Sequence, residues 1–377
     1  MSFISLMKQE IRDFFSNKAV VLTVFGGIIF YSFLYPLPYA QQSPLEQHIS
    51  IVNLDNSAVS LKLERMVDAT SQVKIIQRDH SIEAAKNALI DGKVSGILVI
   101  PKDFYKDLMV GKSPTLAYAG DASYFLVYGT VVEGLAQAGA TLGAEVKVAQ
   151  LMAQGEPLVS ATNQYASIKA NLKPTFNPRM GYVDYVVPAV FVLILQQTLI
   201  MAAGLLVATH KSESRGWRLY AQISVLAVRT LLLVGIYIVM SAYYFGASFS
   251  WHGINTLAQP QELFALLIPF LLSSCLIGYV LGLWVPRREL VPVIVLISSM
   301  PLIFLAGFIW PPEMIPSALL WIANLIPSTA SIKGFLSLNQ MGANWQQVSI
   351  YFTHLWLLVL FWAGALGVTL FHRARRH

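Results

Sequence analysis

Phosphate binding and metal binding are the first chemistries that the residue types suggest, and the spacing of the residues supports neither. Gly111, Lys112 and Ser113 match the end of a phosphate-binding loop, in which glycine amides and a lysine surround the phosphates. That motif needs another glycine where this chain has Lys106. The 7 histidines are scattered, and the sequence has no HExxH motif and no paired CxxC motifs. We therefore predict that the chain is not an enzyme, binds no cofactor or metal, and cannot hydrolyse ATP by itself.

A proton-driven carrier would place ionisable side chains inside its membrane spans, where they are costly and usually functional. Asp184, Glu262 and Glu289 all lie at the ends of apolar runs instead. Arg229 is the one charge within a run. Because the apolar run that begins at Leu219 is longer than a span needs, we expect Arg229 to snorkel to the cytoplasmic headgroups. A specific partner for its guanidinium is the alternative. The missing intramembrane carboxylates disfavour a proton-coupled carrier.

Three adjacent polar residues, Gln196, Gln197 and Thr198, lie in the middle of another apolar run. Polar side chains at such depth form hydrogen bonds between membrane helices. They are candidates for a transport pathway or for an interface between two copies of the chain. Simple helix packing is the third interpretation, and the pattern leaves all three open.

The stretch 304–335 is strongly apolar and is nevertheless interrupted by prolines. Each proline removes a backbone donor and disfavours helix in the residue before it. The stretch therefore predicts two short helices separated by Pro327 and not one span. Broken backbone is tolerated in a membrane only where protein or a water-filled cavity satisfies it, so we expect a re-entrant region over 310–340. Its marker residues are Trp310, Pro311, Pro312, Glu313 and Pro327.

The composition places these residues in an integral membrane protein. Of the 377 residues, 55% are hydrophobic and only 12% are charged, which is too apolar for an ordinary soluble protein. The single Cys275 excludes an internal disulfide. Within residues 1–18 the apolar side chains recur at helical spacing, which predicts an amphipathic helix lying on the membrane surface, and the residues opposite them are Lys8, Glu10, Arg12 and Asp13. The following run has no small-residue cleavage site, so we expect it to remain as the first span.

The region 40–182 differs from the rest and predicts a soluble α/β domain. It holds 13 Lys/Arg and 13 Asp/Glu. Its β-branched runs predict three strands, over 48–54, 73–76 and 94–100. The segments 57–70 and 81–91 read as helices between them, which is the alternation of an α/β fold. From Tyr124 onward, apolar residues recur every three or four positions, which predicts a helix of about 28 residues.

Six apolar runs of spanning length define the predicted membrane topology. They are 19–39, followed within 183–377 by 185–208, 222–245, 262–284, 290–309 and 348–371. One set of flanks holds 11 Lys/Arg and the opposite short flanks hold only Lys333. By the positive-inside rule, both termini are cytoplasmic and the 40–182 domain is outside the cytoplasm. The predicted fold is an α-helical integral membrane protein with six transmembrane helices, re-entrant helices and an inserted extracytoplasmic α/β domain.

Several stretches resemble type-2 ABC exporter permeases. The order of parts in 304–335, from a Phe-Leu-Ala-Gly helix end through Trp-Pro-Pro to Ile-Pro-Ser-Thr, is similar to the signature of that family. VNLDNS at 52–57, DGKVSGILVIPKDF at 91–104 and NPRMGYVDYVVPAVFVLILQQ at 177–197 are similar to landmarks of bacterial members with a large outer domain. Together these stretches sample nearly the whole chain.

The resemblance implies a permease in the bacterial inner membrane that exports drugs or other amphipathic compounds. It implies a second permease copy or paralogue, a cytoplasmic ABC ATPase that binds ATP and Mg, and a periplasmic adaptor. It implies no nucleic acid partner. The alternative is a non-transporting surface protein whose outer domain binds a partner.

The cytoplasmic segment 210–220, HKSESRGWRLY, resembles the coupling helix by which such permeases contact the ATPase. Its polar start, central glycine and amphipathic end predict a short helix below the membrane; a plain charged loop is the alternative. The family often has Arg-Glu followed by Gly-Thr, and this chain has Ser212-Glu213 and Gly216-Trp217. The candidate contact residues are Lys211, Glu213, Arg215, Gly216 and Arg218.

Overall fold

The chain divides into two compact units. The computed structural model describes residues 3–40, 44–165, 175–177, 179, 181–213 and 219–375, with side chains not described at 212, 213 and 219–222. The first unit, called the helical unit below, combines Met1–Gln42 with Pro174–His377. The second, called the sheet unit, is Ser43–Lys173.

The helical unit begins with a surface helix and a segment long enough to cross a membrane. The helices are α1 (Phe3–Ser16), α2 (Lys18–Val21) and α3 (Ile28–Leu34). The Asn17 side chain accepts a hydrogen bond from the Val20 amide and so starts α2 as a new helix. A π-helix, Leu22–Gly27, joins α2 to α3. The apolar segment Lys18–Tyr39 therefore has the length of one span, 22 residues.

The sheet unit is a four-stranded sheet with helices on both faces. Its elements are β1 (Gln47–Asn53), α4 (Ala58–Asp68), β2 (Val73–Arg78), α5 (Ile82–Ile90), β3 (Gly96–Ile100), α6 (Phe104–Met109), β4 (Ala117–Gly120), α7 (Phe125–Ala153) and α8 (Leu158–Tyr165). The strand order is β2-β1-β3-β4. β1 pairs in parallel with β2 and β3, and β4 pairs antiparallel to β3.

The burial of β1 explains why helices cover both sides of this sheet. Ile49 and Ile51 pack into a core shared with α4 and α7. Val52, on the other face, packs with Ile97 and with Ala85 of α5. A parallel strand that is buried on both faces needs crossover helices on each side. β1 fits this arrangement, because Ile49 and Ile51 on one face and Ser50 and Val52 on the other are all buried.

The rest of the helical unit consists of long apolar helices and short broken ones. They are α9 (Val186–Glu213), α10 (Leu219–Ala242), α11 (Phe249–Trp251), α12 (Pro260–Trp284), α13 (Leu290–Leu305), α14 (Ser317–Asn324), α15 (Pro327–Asn339) and α16 (Trp345–Ala374). A π-helix, Tyr243–Ser248, continues α10 into α11.

Five segments of the described chain are long and apolar enough to cross a membrane. They are Lys18–Tyr39, Val186–Lys211, Ile223–Trp251, Pro260–Trp284 and Trp345–Ala374. A sixth appears only if α14 and α15, which meet at 84°, count as one span. The run 290–309, predicted as a full span, forms the 16-residue α13. At 1.5 Å per residue that is about 24 Å, less than the roughly 30 Å of a hydrocarbon core.

Helix α9 is the centre of the helical unit, and it approaches α12 backbone to backbone. The spanning part of α9 is 89% buried. A Cβ atom built on Gly282 would lie 2.4 Å from the carbonyl oxygen of Gly204. A Cβ on Gly278, one turn earlier in α12, would lie 2.7 Å from the Ile200 carbonyl oxygen. Small residues at a crossing allow this close approach between membrane helices.

Candidate functional site

A buried ion pair joins the surface helix α1 to the membrane helix α10. The Arg229 Nε and Nη2 atoms donate to the two carboxylate oxygens of Glu10, at 2.6 and 3.1 Å. Each of the two side chains is only 2% exposed. This paired, two-bond geometry is the one in which a buried charge pair is best compensated for its lost hydration. The pair therefore holds α1 against α10 and cannot lose one member without leaving a buried charge.

The snorkelling prediction for Arg229 is therefore wrong. The guanidinium is not exposed to headgroups, because it is buried in the protein and paired with Glu10 of α1. The sequence pattern had placed Glu10 on the polar face of α1, opposite the apolar residues. The apolar residues Phe3, Ile4 and Phe15 are exposed, while Glu10 and Phe14, one turn apart, form the buried face. The alternative interpretation, a specific guanidinium partner, is the correct one.

The last turn of α9 belongs to the same group of contacts. The Nδ1 atom of His210 lies 3.4 Å from Arg229 Nη2. The Lys211 ammonium donates to the Leu283 and Val285 carbonyl oxygens, at 3.0 and 2.8 Å. These carbonyls lie at the C-terminus of α12. The last carbonyl oxygens of a helix have no amide partner within the helix and accept hydrogen bonds from a cation. Glu10, His210, Lys211 and Arg229, called the polar junction below, thus connect α1, α9, α10 and α12.

The structure covers only part of the predicted coupling segment. His210 to Glu213 continue α9 without a break, so the predicted separate helix does not begin at 210. Arg215, Gly216 and Arg218 lie outside the described residues, and α10 begins at Leu219. Of the predicted contact residues, Lys211 is half-buried at the end of α12. The polar junction therefore includes residues of the last described turn of α9.

The polar residues in the middle of α9 contact the second helix of the proline-rich stretch. The Gln196 Oε1 atom accepts a hydrogen bond from the Ser328 amide at 2.5 Å, in the first turn of α15. Thr198 donates to Ile194 and Leu195 of its own helix. Gln196 is fully buried, and Gln197 and Thr198 are each 8% exposed. The first amides of a helix have no hydrogen-bond partner within the helix, and Gln196 supplies one for the Ser328 amide.

The structure brings together only part of the predicted re-entrant region. Pro327 is buried as the first residue of α15, where it needs no backbone donor, and it adjoins the Gln196 contact. Trp310, Pro311 and Glu313 are exposed. Gly307 has a φ of +79°, which turns the chain after α13. Pro312 then begins a short 3₁₀ helix. The two halves of the region thus have different surroundings.

A cavity of about 680 Å³ lies beside the polar junction. It is lined by Lys18 and Thr23 of the first span, Met201 and His210 of α9, Arg229, and Glu289 before α13. The Glu289 backbone amide, and then the Arg288 guanidinium, donate hydrogen bonds that hold the pKa of the Glu289 carboxyl below its usual range. Among the described residues no cluster of three His, Cys, Asp or Glu side chains could hold a metal ion.

Comparison with protein families decides what kind of membrane protein this arrangement belongs to. The family model of the ABC-2 family transporter protein matches residues 18–371, nearly the whole chain. The chain belongs to the ABC-2 transporter family. The resemblance to type-2 ABC permeases is thereby confirmed. A search of curated proteins found no match.

Membership in the family fixes the general role of the ABC-2 chain. Together with its apolar helices, it makes the chain a multi-pass membrane protein and the permease subunit of an ABC transporter. Such a permease associates with an ABC ATPase, which hydrolyses the nucleotide. The polar junction lies in the matched range except for Glu10, which precedes it.

Proposed function

We propose that the ABC-2 chain is the permease of an ATP-driven exporter of drugs or other hydrophobic or amphipathic compounds. The compounds leave the cytoplasm or the inner leaflet of a bacterial inner membrane. ATP and Mg bind to the partner ATPase. The observation that carries this proposal is the polar junction, since it links four helices at the last described turn of α9. A movement of that end of α9 would therefore be transmitted to α1, α10 and α12.

The experiment that tests this proposal reconstitutes the permease with its ATPase in proteoliposomes. We expect ATP hydrolysis that requires both proteins and rises when amphipathic compounds are added. The alternative, a non-transporting surface protein, does not agree with membership in a transporter family. Hydrolysis that requires both proteins but does not change when amphipathic compounds are added would contradict the proposed substrate class.

Membrane orientation is proposed from the charge of the flanks. The count of 11 Lys/Arg against one supports a topology in which both termini and residues 210–220 are in the cytoplasm and the sheet unit is outside it. Trp251, Trp310 and Trp321 are exposed, as expected of side chains at an outer membrane interface. The outer position of the sheet unit would let it meet a periplasmic adaptor.

The orientation predicts which introduced cysteines react in intact cells. In a Cys275→Ala background, a membrane-impermeant thiol reagent should label Ser113→Cys and should leave Ser214→Cys unlabelled. Labelling is measured on the purified protein after quenching. As a control, Ser214→Cys must react once the cells are permeabilised. Labelling of Ser214→Cys in intact cells would invert the proposed topology.

Assembly with a second permease copy or a paralogue is proposed from the exposed apolar helices. The spanning windows of α10 and α16 are only 33% and 22% buried. Such surfaces contact lipid or another helix, because apolar side chains that face neither would be exposed to water. The interfacial residues Phe3, Ile4 and Phe15 of α1 provide a further lipid-facing surface.

A further inference from the structure

The sheet unit contains a groove that is separate from the polar junction. It lies between the end of α6, the turn that follows it, α7 and α8, and its volume is about 610 Å³. Small-molecule sites in proteins are concave and commonly have volumes of about 300 to 1,000 Å³. All of its lining residues fall in the sheet unit. The groove is therefore large enough for a small organic ligand within one unit.

The floor of the groove is apolar and is kept open by glycine. Leu142 is 4% exposed and belongs to the core of the sheet unit, and Gly139 and Gly143 lie on the same side of α7. A Cβ atom on Gly143 would meet nothing within 4 Å. By contrast, a Cβ on Gly134 would lie 2.9 Å from Gln72, so packing explains that glycine. Glycine is unfavourable inside a helix, and at Gly143 its effect is to leave the groove open.

The rim of the groove carries positive charge. Lys112 and Lys147 line it, and the lining includes no carboxylate among the described residues. Asp107 lies nearby, with its Oδ1 atom 3.4 Å from the Lys112 ammonium, but the Lys112 side chain is 72% exposed and such pairs are weak. Within the described part of the chain, Lys147 forms no ion pair.

Contacts within the sheet unit hold the walls of the groove in place. The Gln150 amide donates to the Leu108 carbonyl oxygen at 2.8 Å and so fixes α7 to the end of α6. Gly111, with φ of +79°, makes the turn that brings Lys112 and Ser113 to the rim. Gly111, Lys112 and Ser113 are the residues whose pattern suggested a phosphate-binding loop. Their surroundings are those of an open groove with an apolar floor.

We propose that this groove binds an amphipathic anion. The acidic group, a carboxylate, sulfonate or phosphate, binds between Lys112 and Lys147, and the apolar body lies on Leu142 and Gly143. Charge-assisted hydrogen bonds select the acidic group, and burial of apolar surface holds the rest. The site does not depend on the proposed export function, because its residues lie outside the polar junction and outside every candidate span.

Three fluorescent probes with one fluorophore test the class of ligand. The full-length protein in lipid nanodiscs is titrated with dansylglycine, an anion, with its neutral amide, and with the cationic dansylcadaverine. The signal of empty nanodiscs is subtracted. We expect saturable binding of dansylglycine and binding at least about tenfold weaker for the amide and the amine, as loss of a charge-assisted bond predicts. Equal binding of all three probes would overturn the proposal.

Matched variants locate the binding site. Gly143→Leu fills the floor with a good helix former and should abolish dansylglycine binding, whereas Gly129→Leu, in open space elsewhere on α7, should leave it unchanged. Lys112→Gln with Lys147→Gln should weaken binding about tenfold or more. Lys86→Gln with Lys102→Gln removes the same charge away from the groove and should not. Equal binding by both glycine variants, each with wild-type thermal stability, would contradict the proposed site.

Discussion

Glu10→Ala is expected to lower the stability of the permease strongly, because it leaves the Arg229 guanidinium buried without a counter-charge. Removing one partner of a buried ion pair typically costs about 3–5 kcal/mol. Both side chains are 2% exposed, so little solvent compensates the guanidinium charge in the folded protein. The measurement is the thermal unfolding midpoint of the detergent-solubilised protein, followed by fluorescence-detected size-exclusion chromatography. We expect a large fall in that midpoint and a low yield from membranes.

Variants that keep both charges or remove both distinguish the effect of the ion pair on stability from the effect of side-chain packing. Glu10→Leu together with Arg229→Met should recover most of the stability, because apolar side chains of similar volume often replace a buried pair at little loss. Arg229→Lys should be intermediate, since an ammonium cannot reproduce the two-bond contact of the guanidinium. If Glu10→Ala unfolds at the wild-type temperature, the pair is not buried in the membrane-embedded protein.

Gly282→Ala is expected to have the second large effect, at the crossing of α9 and α12. Its new Cβ atom would lie 2.4 Å from the Gly204 carbonyl oxygen, which is backbone and cannot turn aside. The two helices must therefore move apart, and overpacking of this kind typically costs about 1–3 kcal/mol. The same unfolding assay should show a clear fall in the midpoint, with reduced transport because α9 is the centre of the helical unit.

A second glycine-to-alanine change provides the control for this effect. Gly235 lies in α10, and a Cβ atom there would meet nothing within 4 Å. Gly235→Ala should be neutral or slightly stabilising, because alanine favours helix over glycine by up to about 1 kcal/mol. Equal effects of the two substitutions would show that α9 and α12 do not approach as closely as described.

Local signals in the sequence predict most of the sheet unit. β1, β2 and β3 lie close to the predicted β-branched runs, and α7 begins within a residue of Tyr124. Serine caps at Ser57 and Ser81 begin α4 and α5. β4 has no such signal, because Ala117–Gly120 is short and rich in small residues with low strand propensity. It forms a strand only by pairing with β3.

The polar junction could not be predicted, because it depends on contacts distant in sequence. Glu10 and Arg229 are 219 positions apart, and the local pattern of α1 does not show which of its faces the protein covers. An acidic residue one turn from Phe14 was the available signal. The contact of Gln196 with Ser328 is of the same kind: its polarity was visible, and its partner was not.

Element lengths in the helical unit were predicted less well than element positions. The apolar run 290–309 contains Pro301 and is followed by the turn at Gly307, and α13 ends at Leu305. Apolar character continues past that point because Ala306 and Phe308 at the turn are buried in the core. Similarly, α9 continues through the polar residues His210 to Glu213, because helix propensity and the Lys211 contact with α12 extend it beyond the apolar run.

The most direct measurement of ATP coupling uses a double charge reversal in the segment 210–220. Glu213→Lys with Arg215→Glu keeps the net charge and changes the proposed ATPase contact, and Glu83→Lys with Lys86→Glu does the same in the sheet unit as a control. Coupling requires a contact whose free energy differs between two states of the complex. A contact with equal affinity for both states does not shift the equilibrium between them.

Three readouts are taken side by side: co-purification of the ATPase, compound-stimulated hydrolysis, and binding of a compound to the isolated permease. For the 213/215 variant we predict loss of co-purification or of stimulated hydrolysis, with compound binding unchanged. The control variant should match the wild type in all three. If assembly and stimulation remain at wild-type levels while compound binding fails, the segment belongs to the substrate path and does not transmit ATP-driven motion.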